Sequence, residues 1–427
     1  MKENRTLTIE QILDDTNLDL ACQKVIRAKG ANGVDKMSTM DLNNYLNENR
    51  EEIKTSIRNR KYKPQPVRRV EIPKDDGSMR LLGIPTVIDR MIQQAIVQVL
   101  SPIYEEQFSE FSFGFRPKRN AHMAIDYALE CMNQGKDWVV DIDLEKFFDK
   151  VNHDKLMQIV SETIKDGDVI SLIRQFLVSG IQIDDEFKES VIGTPQGGNL
   201  SPLLGNIILD KLDKELESRG LSFVRYADDC LIFVGSEKAA DRVRNNVKRF
   251  IEEELKLKVN VTKSQVARPE QIKFLGFGFS KGNDYLYKAR PHKISIAKFK
   301  AKVKRLTSRR WSVNMTVRLA KLRYLFRGWF NYFKNDKMKT FDKAIDRNTR
   351  FRLRMCIWKQ WKTNKARQKA LIKLGISKSK AWEWANTRKG YARVASSFIM
   401  TRTVTNATLE KRGFLTMENL YLQAFIY

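Results

Sequence analysis

The stretch FVRYADDCLIFV, residues 223–234, places two adjacent aspartates inside a run that otherwise has the composition of a β-strand. Acidic residues are poor strand formers, and like charges side by side repel each other. The pattern therefore predicts two strands joined by a tight turn that carries Asp228 and Asp229. Two close carboxylates are destabilising unless a cation neutralises them or one of them is protonated.

A second acidic strand end occurs at Asp141 and Asp143, in a segment (137–149) predicted to run from a strand into a helix. If the fold brings this end beside Asp228 and Asp229, the oxygen-rich site suits Mg²⁺, which is bound by carboxylates, water and substrate phosphates. Two such ions activate an attacking hydroxyl and stabilise a leaving phosphate. The ions would also explain why the repulsion between the carboxylates is tolerated.

The bulk composition is that of a globular chain of several domains, with 427 residues, 42% hydrophobic and 30% charged. We find no apolar run long enough for a membrane span, and the polar start MKENRTLTIE does not resemble a secretory signal. The four cysteines form no CxxC pair, which predicts buried free thiols in a reducing cytoplasm. Only three histidines are present, so a His-rich zinc site is not expected.

Positive charge is concentrated at one end of the chain. Residues 291–427 hold 34 of the 78 Lys and Arg residues but only 6 of the 51 Asp and Glu residues. The overall net charge is +27, so the remainder of the chain is close to neutral. Such an excess repels itself unless a polyanion binds, which favours nucleic acid as the partner, with an acidic membrane surface as the lesser alternative.

The predicted elements are mixed. Residues 61–80 indicate a hairpin that turns at Lys74–Ser78, and residues 89–108 have helical apolar spacing. A glycine-rich loop feeds a helix at 193–216, and two further strands are predicted at 258–266 and 272–279. Strands and helices without strict alternation predict an α+β, palm-like sheet.

Beyond residue 290 apolar residues recur at helical spacing, which predicts helix–helix packing beneath a cationic outer surface. The positions are Leu319, Leu322, Leu325, Phe326, Trp329 and Phe330.

Eight motifs occur in a fixed order. DIDLEKFF, GTPQGGNLSP, RYADD and FLGF resemble successive motifs of reverse transcriptases. RRVEIPK, LGIPTVIDR, FGFRP and RGWFNYF narrow the resemblance to the group II intron-encoded reverse transcriptases, also called maturases, over nearly the whole chain. The resemblance implies an α+β right-hand polymerase architecture with fingers and an antiparallel palm sheet, followed by an α-helical thumb or X domain.

The implied segments are an N-terminal extension of the fingers (1–65), fingers and palm (66–290), the thumb (291–370) and a small basic DNA-binding region (371–427).

The resemblance also implies a catalytic metal site with two Mg²⁺ ions. Its residues would be Asp143, Leu144, Asp228 and Asp229. Asp141 lies on the same strand face as Asp143 and is the alternative ligand. Asp143 is preferred because Phe148 then falls at the family's five-residue offset, which leaves Asp141 and Asp149 with structural or electrostatic roles.

Several residues resemble those that handle the incoming nucleotide. The set is Lys74, Arg80, Phe148, Gln196, Gly197 and Lys263. Lys74 and Arg80 would clamp the triphosphate, and Gln196 with Gly197 would contact the sugar edge. Phe148 would be the steric gate that excludes a 2′-hydroxyl, whereas Phe147 better fits a core aromatic. Lys263 would protonate the departing pyrophosphate, with a plain surface lysine as the alternative.

Other positions have weaker assignments. Phe274, Leu275, Gly276 and Phe277 resemble the primer grip, although apolar packing explains them nearly as well. Arg116 would either contact template or brace the fingers, and the sequence does not choose between these. The aromatic residues of RGWFNYF (327–333) are predicted to be thumb core rather than base-stacking residues.

The implied activity is RNA-dependent DNA polymerisation that copies intron RNA into DNA, together with assistance to intron splicing and retrohoming. The implied partners are intron RNA, an RNA template with a DNA or RNA primer, target DNA and dNTPs, with no membrane. The expected location is the bacterial cytoplasm, at the nucleoid when the protein is on target DNA. No histidine follows His292, so the clustered His, Asn and Cys of the family's endonuclease domain are not expected.

Two alternatives remain: a splicing factor without polymerase activity, and an RNA-dependent RNA polymerase, which Phe148 opposes.

Overall fold

The structure is a computed structural model that describes residues 7–73, 77, 79–183, 186–189, 192–194, 197–334 and 339–425. The chain forms two compact units, Met1–Leu275 with Gly282–Tyr287, and Gly276–Lys281 with Lys288–Tyr427. These units are a coarser division than the four predicted segments, whose boundaries stay a prediction. Within the described residues, every helix is too short or too polar to cross a bilayer.

The first unit combines helices with short strands. Its helices are α1 (Ile9–Leu13), α2 (Asp15–Ala28), α3 (Leu42–Arg58), α4 (Val87–Glu105), α5 (Ala121–Asn133), α6 (Phe147–Lys150), α7 (His153–Thr163), α8 (Gly167–Leu177), α9 (Ser201–Ser218) and α10 (Glu237–Glu253). Its strands are β1 (Val67–Pro73), β2 (Met79–Ile84), β3 (Trp138–Ile142), β4 (Ile181–Ile183), β5 (Glu186–Lys188), β6 (Ser222–Tyr226), β7 (Asp229–Val234), β8 (Gln265–Ala267) and β9 (Lys273–Phe274).

Two four-stranded sheets organise this unit. One has the order β2-β1-β4-β5, in which β1 and β4 are parallel. The other has the order β6-β7-β3-β8, and all of its pairings are antiparallel. The predicted hairpin is confirmed as β1 paired with β2, although most of its turn, including Lys74, lies outside the described residues.

The prediction of a strand over 258–266 is wrong for most of that length. Val259 forms one isolated bridge with Leu144, residues 261–263 form a turn, and β8 begins only at Gln265. The turn forms because the chain diverts to bond the backbone of Asp143, as described below.

The predicted strand over 272–279 is divided in two. Leu275 and Gly276 have φ values of 48° and 84°, and this left-handed pair ends β9 before the next strand begins at Phe277. A straight strand cannot include two successive residues of positive φ, because both would leave the extended region.

The start of α4 shows how the motif LGIPTVIDR builds local structure. Thr86 caps the helix by accepting a hydrogen bond from the Asp89 amide at 3.1 Å. The buried Asp89 carboxylate in turn accepts bonds from Tyr62 Oη at 2.6 Å, Thr86 Oγ1 at 2.7 Å and the Gln65 amide at 3.1 Å. Arg90 reaches back to the Ala31 carbonyl at 2.6 Å, so this motif fixes the N-terminal segment to α4.

The second unit is mainly helical. Its strands are β10 (Phe277–Lys281) and β11 (Tyr287–Pro291), whose first residue belongs to the first unit. Its helices are α11 (Lys293–Leu306), α12 (Met315–Phe333), α13 (Lys339–Gln360), α14 (Asn364–Lys373), α15 (Lys378–Ala385), α16 (Tyr391–Ser396), α17 (Phe398–Thr403), α18 (Asn406–Lys411) and α19 (Met417–Phe425).

The predicted helical core of this unit is confirmed. Leu319, Leu322, Phe326 and Phe330 are buried along one face of α12, and Leu325 and Trp329 pack against the same core. Aromatic pairs have a preferred geometry that adds to the free energy of burial. Trp329 stacks on Phe299 with ring centroids 4.4 Å apart.

All four cysteines, Cys22, Cys131, Cys230 and Cys356, are free and buried, as the sequence predicts.

Candidate active site

The pairing of β3 with β7 places three aspartates, Asp143, Asp228 and Asp229, where these two neighbouring strands end. We call this end of the sheet the acidic edge. The last pair in this register is Ile142 opposite Cys230, so the next step along each strand sets Asp143 level with Asp229. Opposed residues of an antiparallel pair have Cα atoms about 4.5–5.5 Å apart. Asp228 lies in the two-residue turn that precedes Asp229, and therefore extends the same edge.

Lys263 lies close to Asp143 in the chain path on the other side of β3. The β3–β8 ladder ends at Asp141 opposite Gln265, and Lys263 follows in the turn at 261–263, between Asn260 and Ser264, which both bond the Asp143 backbone. The backbone of Asp143 is fixed there, because its amide donates to Ser264 Oγ at 3.0 Å and its carbonyl accepts from the Asn260 amide at 2.8 Å. The turn at 261–263 thus holds Asp143 and presents an exposed lysine beside it.

The pKa values of Asp228 and Asp229 reflect repulsion between the acidic side chains. Burial, followed by the charges of Asp228, Asp141 and Asp143, raises the pKa of Asp229 to about 7. Burial raises the pKa of Asp228, and the charge of Asp143 raises it further, while the charge of Arg80 lowers it. The Asp229 side chain is nevertheless exposed at the sheet edge, so water screens part of this repulsion.

Asp141 differs from Asp143 in its surroundings. It lies within β3, and Gln265 Nε2 donates to its carboxylate at 3.4 Å. Burial, with a smaller contribution from Asp143, raises the pKa of Asp141 to about 6. These contacts favour the electrostatic role expected for Asp141, and the choice of Asp143 as ligand stays a prediction.

The donor chemistry of this edge suits a hard divalent cation. Asp143, Asp228 and Asp229 are carboxylates whose charges repel, and a cation between them would offset this repulsion, which adds to the effect of burial on the pKa values of Asp228 and Asp229. In the described part of the chain, however, no three His, Cys, Asp or Glu side chains are grouped closely enough to hold a metal ion unaided. Mg²⁺ does not need such a group, because it usually takes one or two carboxylates and completes its shell with water and substrate phosphates.

The two phenylalanines at the start of α6 have different environments. Phe147 is buried at 4% exposure, while Phe148 is half-buried and meets the Phe147 ring edge-on with centroids 4.9 Å apart. This agrees with the expectation that Phe147 belongs to the core. Gly205 of α9 lies against both rings, since an added Cβ there would come within 3.1 Å of Phe147 and 3.3 Å of Phe148.

The glycine-rich loop before α9 is docked on the segment that follows Phe148. The Thr194 amide donates to the Phe148 carbonyl at 2.6 Å, and the Gly193 amide donates to the Val151 carbonyl at 2.8 Å. His153 Nε2 donates to the Gly193 carbonyl at 2.6 Å. The loop and the predicted gate are therefore parts of one hydrogen-bonded assembly.

Gly197 brings this loop against the β1–β2 hairpin. Its φ is +129°, and an added Cβ would lie 2.7 Å from the Gly83 carbonyl oxygen of β2. Both its conformation and this close approach require glycine. Gln196, the neighbouring residue predicted to contact the nucleotide, lies outside the described residues.

Arg80 is the described member of the predicted phosphate clamp. It is exposed in β2 opposite Ile72, and its charge offsets a part of the rise in the pKa of Asp228. The hairpin therefore holds a cation near the acidic edge. Lys74, the other predicted member, lies outside the described residues.

The segment that resembles a primer grip contains two buried aromatics. Phe274 and Phe277 are each 2% exposed, and the Phe277 ring lies 4.8 Å from that of Phe333 and 5.4 Å from that of Tyr332. These contacts support the apolar-packing alternative for the Phe277 side chain. The Gly276 carbonyl accepts bonds from Ser295 Oγ at 2.8 Å and from the His292 amide at 3.0 Å.

Arg116 supports the bracing alternative. Its guanidinium is buried and donates to both carboxylate oxygens of Glu105 and to the carbonyls of Ser109 and Ser112. With these acceptors around it, Arg116 fixes the loop between α4 and α5 and does not face solvent.

Sequence reasoning missed a buried network beneath the aspartate turn. Arg225 is 0% exposed and donates to both carboxylate oxygens of Asp213, from Nε at 2.7 Å and from an Nη at 2.5 Å. Its other Nη donates to Asn206 Oδ1 and to the Ala227 carbonyl, each at 2.9 Å. The motif RYADD includes this arginine, but only the α9 partners show that it points inward.

The network includes the carbonyl of Ala227, a residue with an unusual backbone conformation. Ala227 has a φ of 58°, a left-handed conformation that costs about 1–2 kcal/mol for a residue other than glycine. Gly114 packs directly on the turn, since an added Cβ would lie 2.2 Å from the Ala227 amide nitrogen. Asn206 Nδ2 donates to the Gly114 carbonyl at 2.9 Å. The turn that carries Asp228 is therefore held from below and from the side.

Comparison with protein families gives two matches. Residues 72–279 match "Reverse transcriptase (RNA-dependent DNA polymerase)", and residues 296–375 match "Group II intron, maturase-specific domain". Together they define a reverse transcriptase of α+β fold with an antiparallel palm sheet, followed by a helical maturase domain.

Related proteins agree with these matches. The chain is 32% identical to Protein YkfC of Escherichia coli, over 58% of this chain and 75% of that protein. It is 31% identical to the group II intron-encoded protein LtrA of Lactococcus lactis, over 52% of this chain and 48% of LtrA. It is 29% identical to the putative COX1/OXI3 intron 2 protein of Saccharomyces cerevisiae, over 64% of this chain and 39% of that protein.

The chain belongs to the group II intron-encoded reverse transcriptases and maturases. It spans about half or less of the length of LtrA and of the yeast intron protein.

Among solved structures, the telomerase of Candida albicans with a fragment of telomeric RNA aligns at 14% identity and a TM-score of 0.45. That alignment covers 79% of this chain and 66% of the telomerase chain. A partial Cas6-RT-Cas1–Cas2 complex aligns at 24% identity and a TM-score of 0.36, over 57% of this chain and 42% of that one.

Proposed function

We propose that this protein is an RNA-dependent DNA polymerase that copies its parent intron RNA into DNA and assists the splicing and retrohoming of that intron. One observation carries the proposal: the β3–β7 register sets Asp143 level with Asp229 and beside Asp228. Phosphoryl transfer requires little covalent work from a protein and depends on positioning and charge. This edge supplies both.

In the proposed reaction, Asp143, Asp228 and Asp229 would hold two divalent ions, as members of this family use divalent metal. Bound there, the ions would supply activation of the primer 3′-hydroxyl and neutralisation of the phosphates. The chain contributes a fixed backbone at Asp143, through the bonds of Ser264 and Asn260. Leu144, the remaining predicted metal-site residue, is buried beside Asp143.

Lys263 would act at the end of the same step. It is exposed in the turn between Asn260 and Ser264, the two residues that bond the Asp143 backbone, and from there its ammonium group would transfer a proton to the departing pyrophosphate. Arg80 would hold the triphosphate from the hairpin side, together with Lys74, since Arg grips two phosphate oxygens at once and Lys acts as a point charge.

Substrate choice would depend on the assembly around the glycine-rich loop. The half-buried ring of Phe148 is fixed by Phe147 and by the close approach of Gly205, so it would resist displacement by a 2′-hydroxyl. Gly197, with Gln196, would contact the sugar edge of the dNTP where the loop meets the hairpin.

The basic second unit would bind nucleic acid. Residues 291–427 carry 34 basic and 6 acidic residues, which suits phosphate contacts to intron RNA, to an RNA template with its DNA or RNA primer, and to target DNA. We place the protein in the bacterial cytoplasm, at the nucleoid when it is on target DNA. The proposal assigns no DNA cleavage to these residues, because no histidine follows His292.

The test combines primer extension on an RNA template with a splicing assay, using one preparation of each variant. Asp228→Asn and Asp143→Asn should abolish extension while RNA binding and splicing assistance persist. Asp141→Asn is the matched control, because it removes a charge from the same strand without removing a proposed ligand. If extension survives Asp143→Asn but not Asp141→Asn, then Asp141 is the metal ligand and Asp143 is not. Extension by Asp228→Asn at the wild-type rate would refute the polymerase proposal.

A second candidate is a splicing factor without polymerase activity. The observation that favours it is the lack, within the described residues, of any three metal-binding side chains grouped around one point. Tight RNA binding and splicing assistance by a wild-type protein that extends no primer at any Mg²⁺ concentration would support this candidate. Extension that depends on Mg²⁺ would exclude it.

A further inference from the structure

Phe115 has two properties that the packing of the chain does not explain. Its φ is 57°, in the left-handed region that bulky side chains rarely adopt, and it is 57% exposed. Glycine or asparagine adopts this conformation at a lower cost, and a ring this exposed adds little to the hydrophobic core. Strained residues of this kind cluster at sites that bind ligands, which makes Phe115 a candidate contact residue.

Tyr285 shows the same conformation in a place where a turn requires it. Among the described residues, Phe115 and Tyr285 are the two exposed aromatic residues with a positive φ, which is 59° at Tyr285. Tyr285 lies in the turn between β10 and β11, where its amide donates to the Gly282 carbonyl at 3.1 Å and the Gly282 amide donates to the Leu286 carbonyl at 2.8 Å. Hairpin turns favour residues of positive φ, so the turn accounts for Tyr285. Phe115 lies instead in the connection between α4 and α5.

The chain on either side of Phe115 is fixed. Before it, the Gly114 carbonyl accepts a bond from Asn206 Nδ2 at 2.9 Å, and the close approach of Gly114 to Ala227 leaves no room for a side chain. After it, Arg116 is buried, with its guanidinium enclosed by the acceptors described above. The Phe115 ring therefore projects from a backbone that is held in place beside the aspartate turn.

This position is on one side of the acidic edge. The segment 111–113 pairs in parallel with β6, on the side of β6 that does not face β7. Neighbouring strands are about 4.8 Å apart, so this segment lies about 10 Å from β7. From the contact of Gly114 with Ala227, one further residue leads to Phe115 in one segment and to Asp228 in the other. The ring is therefore near the carboxylates but displaced toward β6.

The proposed reaction defines what lies on this side. Two-metal phosphoryl transfer is an in-line displacement, so the primer 3′-hydroxyl attacks from the side opposite the departing pyrophosphate. Lys263, the proposed proton donor to pyrophosphate, lies on the β8 side of β3, whereas Phe115 lies beyond β6. The terminal base pair of the primer–template duplex should therefore face Phe115. A duplex of A-form has a wide and shallow minor groove, in which the sugars are accessible to side chains.

We propose that the Phe115 ring packs against the ribose of the RNA template nucleotide that pairs with the 3′-terminal nucleotide of the primer. The primer sugar carries the attacking hydroxyl at the carboxylates, so the sugar across the minor groove belongs to the template. Because the backbone of Phe115 is fixed, the ring meets this ribose only when the terminal pair has its normal width. A mispaired primer end loses the contact, so Phe115 favours extension of correctly paired ends. This role rests on the proposed function, since polymerisation is what places a primer end at the acidic edge.

The contact is tested by photocrosslinking, which does not require catalysis. The full chain carries p-benzoylphenylalanine in place of Phe115 and is irradiated with an RNA template annealed to a DNA primer, without dNTPs. Benzophenone inserts into nearby C–H bonds, and the crosslinked nucleotide is mapped by strand and position. We expect a crosslink to the template nucleotide opposite the primer terminus, which moves by one nucleotide when the primer is lengthened by one. The same analogue in place of Tyr285 is the control. A crosslink to the primer, or equal labelling from both positions, would overturn the proposal.

Substitution of Phe115 by glycine separates a contact from a role in folding. Phe115→Gly removes the ring and relieves the strained backbone, so the melting temperature should not fall as it does when a core residue is truncated. If the duplex covers the exposed 57% of Phe115, kcat/KM for a matched primer–template should fall by about 4- to 18-fold. The kcat at saturating primer–template and the KM for dNTP should not change, because the ring touches neither the nucleotide nor the metal site.

Mismatched primer ends give the second readout. Their extension should keep its wild-type efficiency in Phe115→Gly, so the ratio of mismatched to matched extension should rise by the same factor. Phe115→Tyr should behave like the wild type. Tyr285→Gly, which removes an exposed aromatic from the same backbone conformation, should change neither the efficiency nor the ratio.

The outcomes distinguish failure of the template contact from failure of the proposed function. A wild-type protein that extends no primer but crosslinks at the stated template nucleotide would uphold the contact and reject polymerisation. Normal extension by the wild type, with an unchanged mismatch ratio in Phe115→Gly, would reject the role of Phe115 and leave polymerisation intact. A lower melting temperature together with a lower kcat in Phe115→Gly would assign the ring to folding, and would also overturn the proposal.

Discussion

The Arg225 network beneath the aspartate turn makes a prediction about catalysis. We expect Arg225→Lys to weaken both stability and primer extension. Lysine keeps one positive charge beside Asp213, but a single ammonium cannot also reach Asn206 and the Ala227 carbonyl, which Arg225 contacts at 2.9 Å each. Losing two charge-assisted hydrogen bonds, at about 1.5 kcal/mol each, lowers the free energy of unfolding by about 3 kcal/mol.

The same change should slow the chemical step. The Ala227 carbonyl is one residue from Asp228, and the left-handed turn would lose the donor that holds it. A displacement of about 1 Å at a reacting group costs up to about 100-fold in rate, so we expect kcat to fall by about 10- to 100-fold. Urea unfolding measures the stability, and single-turnover extension at saturating primer–template and dNTP measures the rate.

A double variant separates the two effects. Arg225→Met combined with Asp213→Leu replaces a buried ion pair by apolar groups, which is often neutral or stabilising. We expect its stability to return to within about 2 kcal/mol of the wild type. Its kcat should stay low, because the Ala227 carbonyl still lacks its donor. Arg318→Lys is the control for a buried arginine elsewhere, since Arg318 donates to the Ser308 and Trp311 carbonyls in the second unit. Recovery of both stability and kcat in the double variant would refute the positioning role.

Three other predictions concern the palm and the glycine-rich loop. Phe148→Ala should admit ribonucleotides, seen as a raised ratio of rNTP to dNTP incorporation; an unchanged ratio would remove Phe148 from the gate role and reopen the RNA polymerase alternative. Gly197→Ala should lower the free energy of unfolding by about 1–3 kcal/mol and impair extension, because its φ is +129° and the new Cβ would lie 2.7 Å from the Gly83 oxygen; wild-type behaviour in both assays would contradict the close approach. Burial and the charge of Asp213 raise the pKa of Asp210 to about 6. Between about pH 4 and 6 the folded state therefore binds more protons at Asp210 than the unfolded state does. The contribution of Asp210 to the free energy of unfolding declines as the pH rises through that range. Asp210→Asn should therefore stabilise the protein by about 1–2 kcal/mol at pH 7 but not at pH 4, as measured by urea unfolding, and an equal difference at both pH values would contradict this sign.

Local patterns predicted much of the palm. The alternation around Asp228 and Asp229 predicted the β6–β7 hairpin, and the acidic end of β3 predicted its partner. Such patterns depend on short-range periodicity, which the sequence displays directly. The helix α12 was predictable for the same reason, because its apolar residues recur on one face.

Long-range features were not predictable from these patterns. Nothing local distinguishes Arg225 from a surface arginine in a strand, and its burial follows only from the packing of α9 against β6. The strand predicted over 258–266 became mostly a turn because Asn260 and Ser264 bond the Asp143 backbone, a contact that spans more than a hundred residues. The roles of the candidate site residues likewise stay predictions until the variants above are measured.

The central place of β3 has a consequence for protein synthesis. Its acidic end is held in position by Asn260 and Ser264, and its open edge is covered only when β8 pairs with it. A ribosome must therefore translate past residue 267 before this centre can assemble. A nascent chain that has emerged only as far as β7 already contains Asp228 and Asp229. It still lacks Asn260 and Ser264, which hold Asp143 in position beside them. The order of translation therefore delays activity until most of the polypeptide has been made.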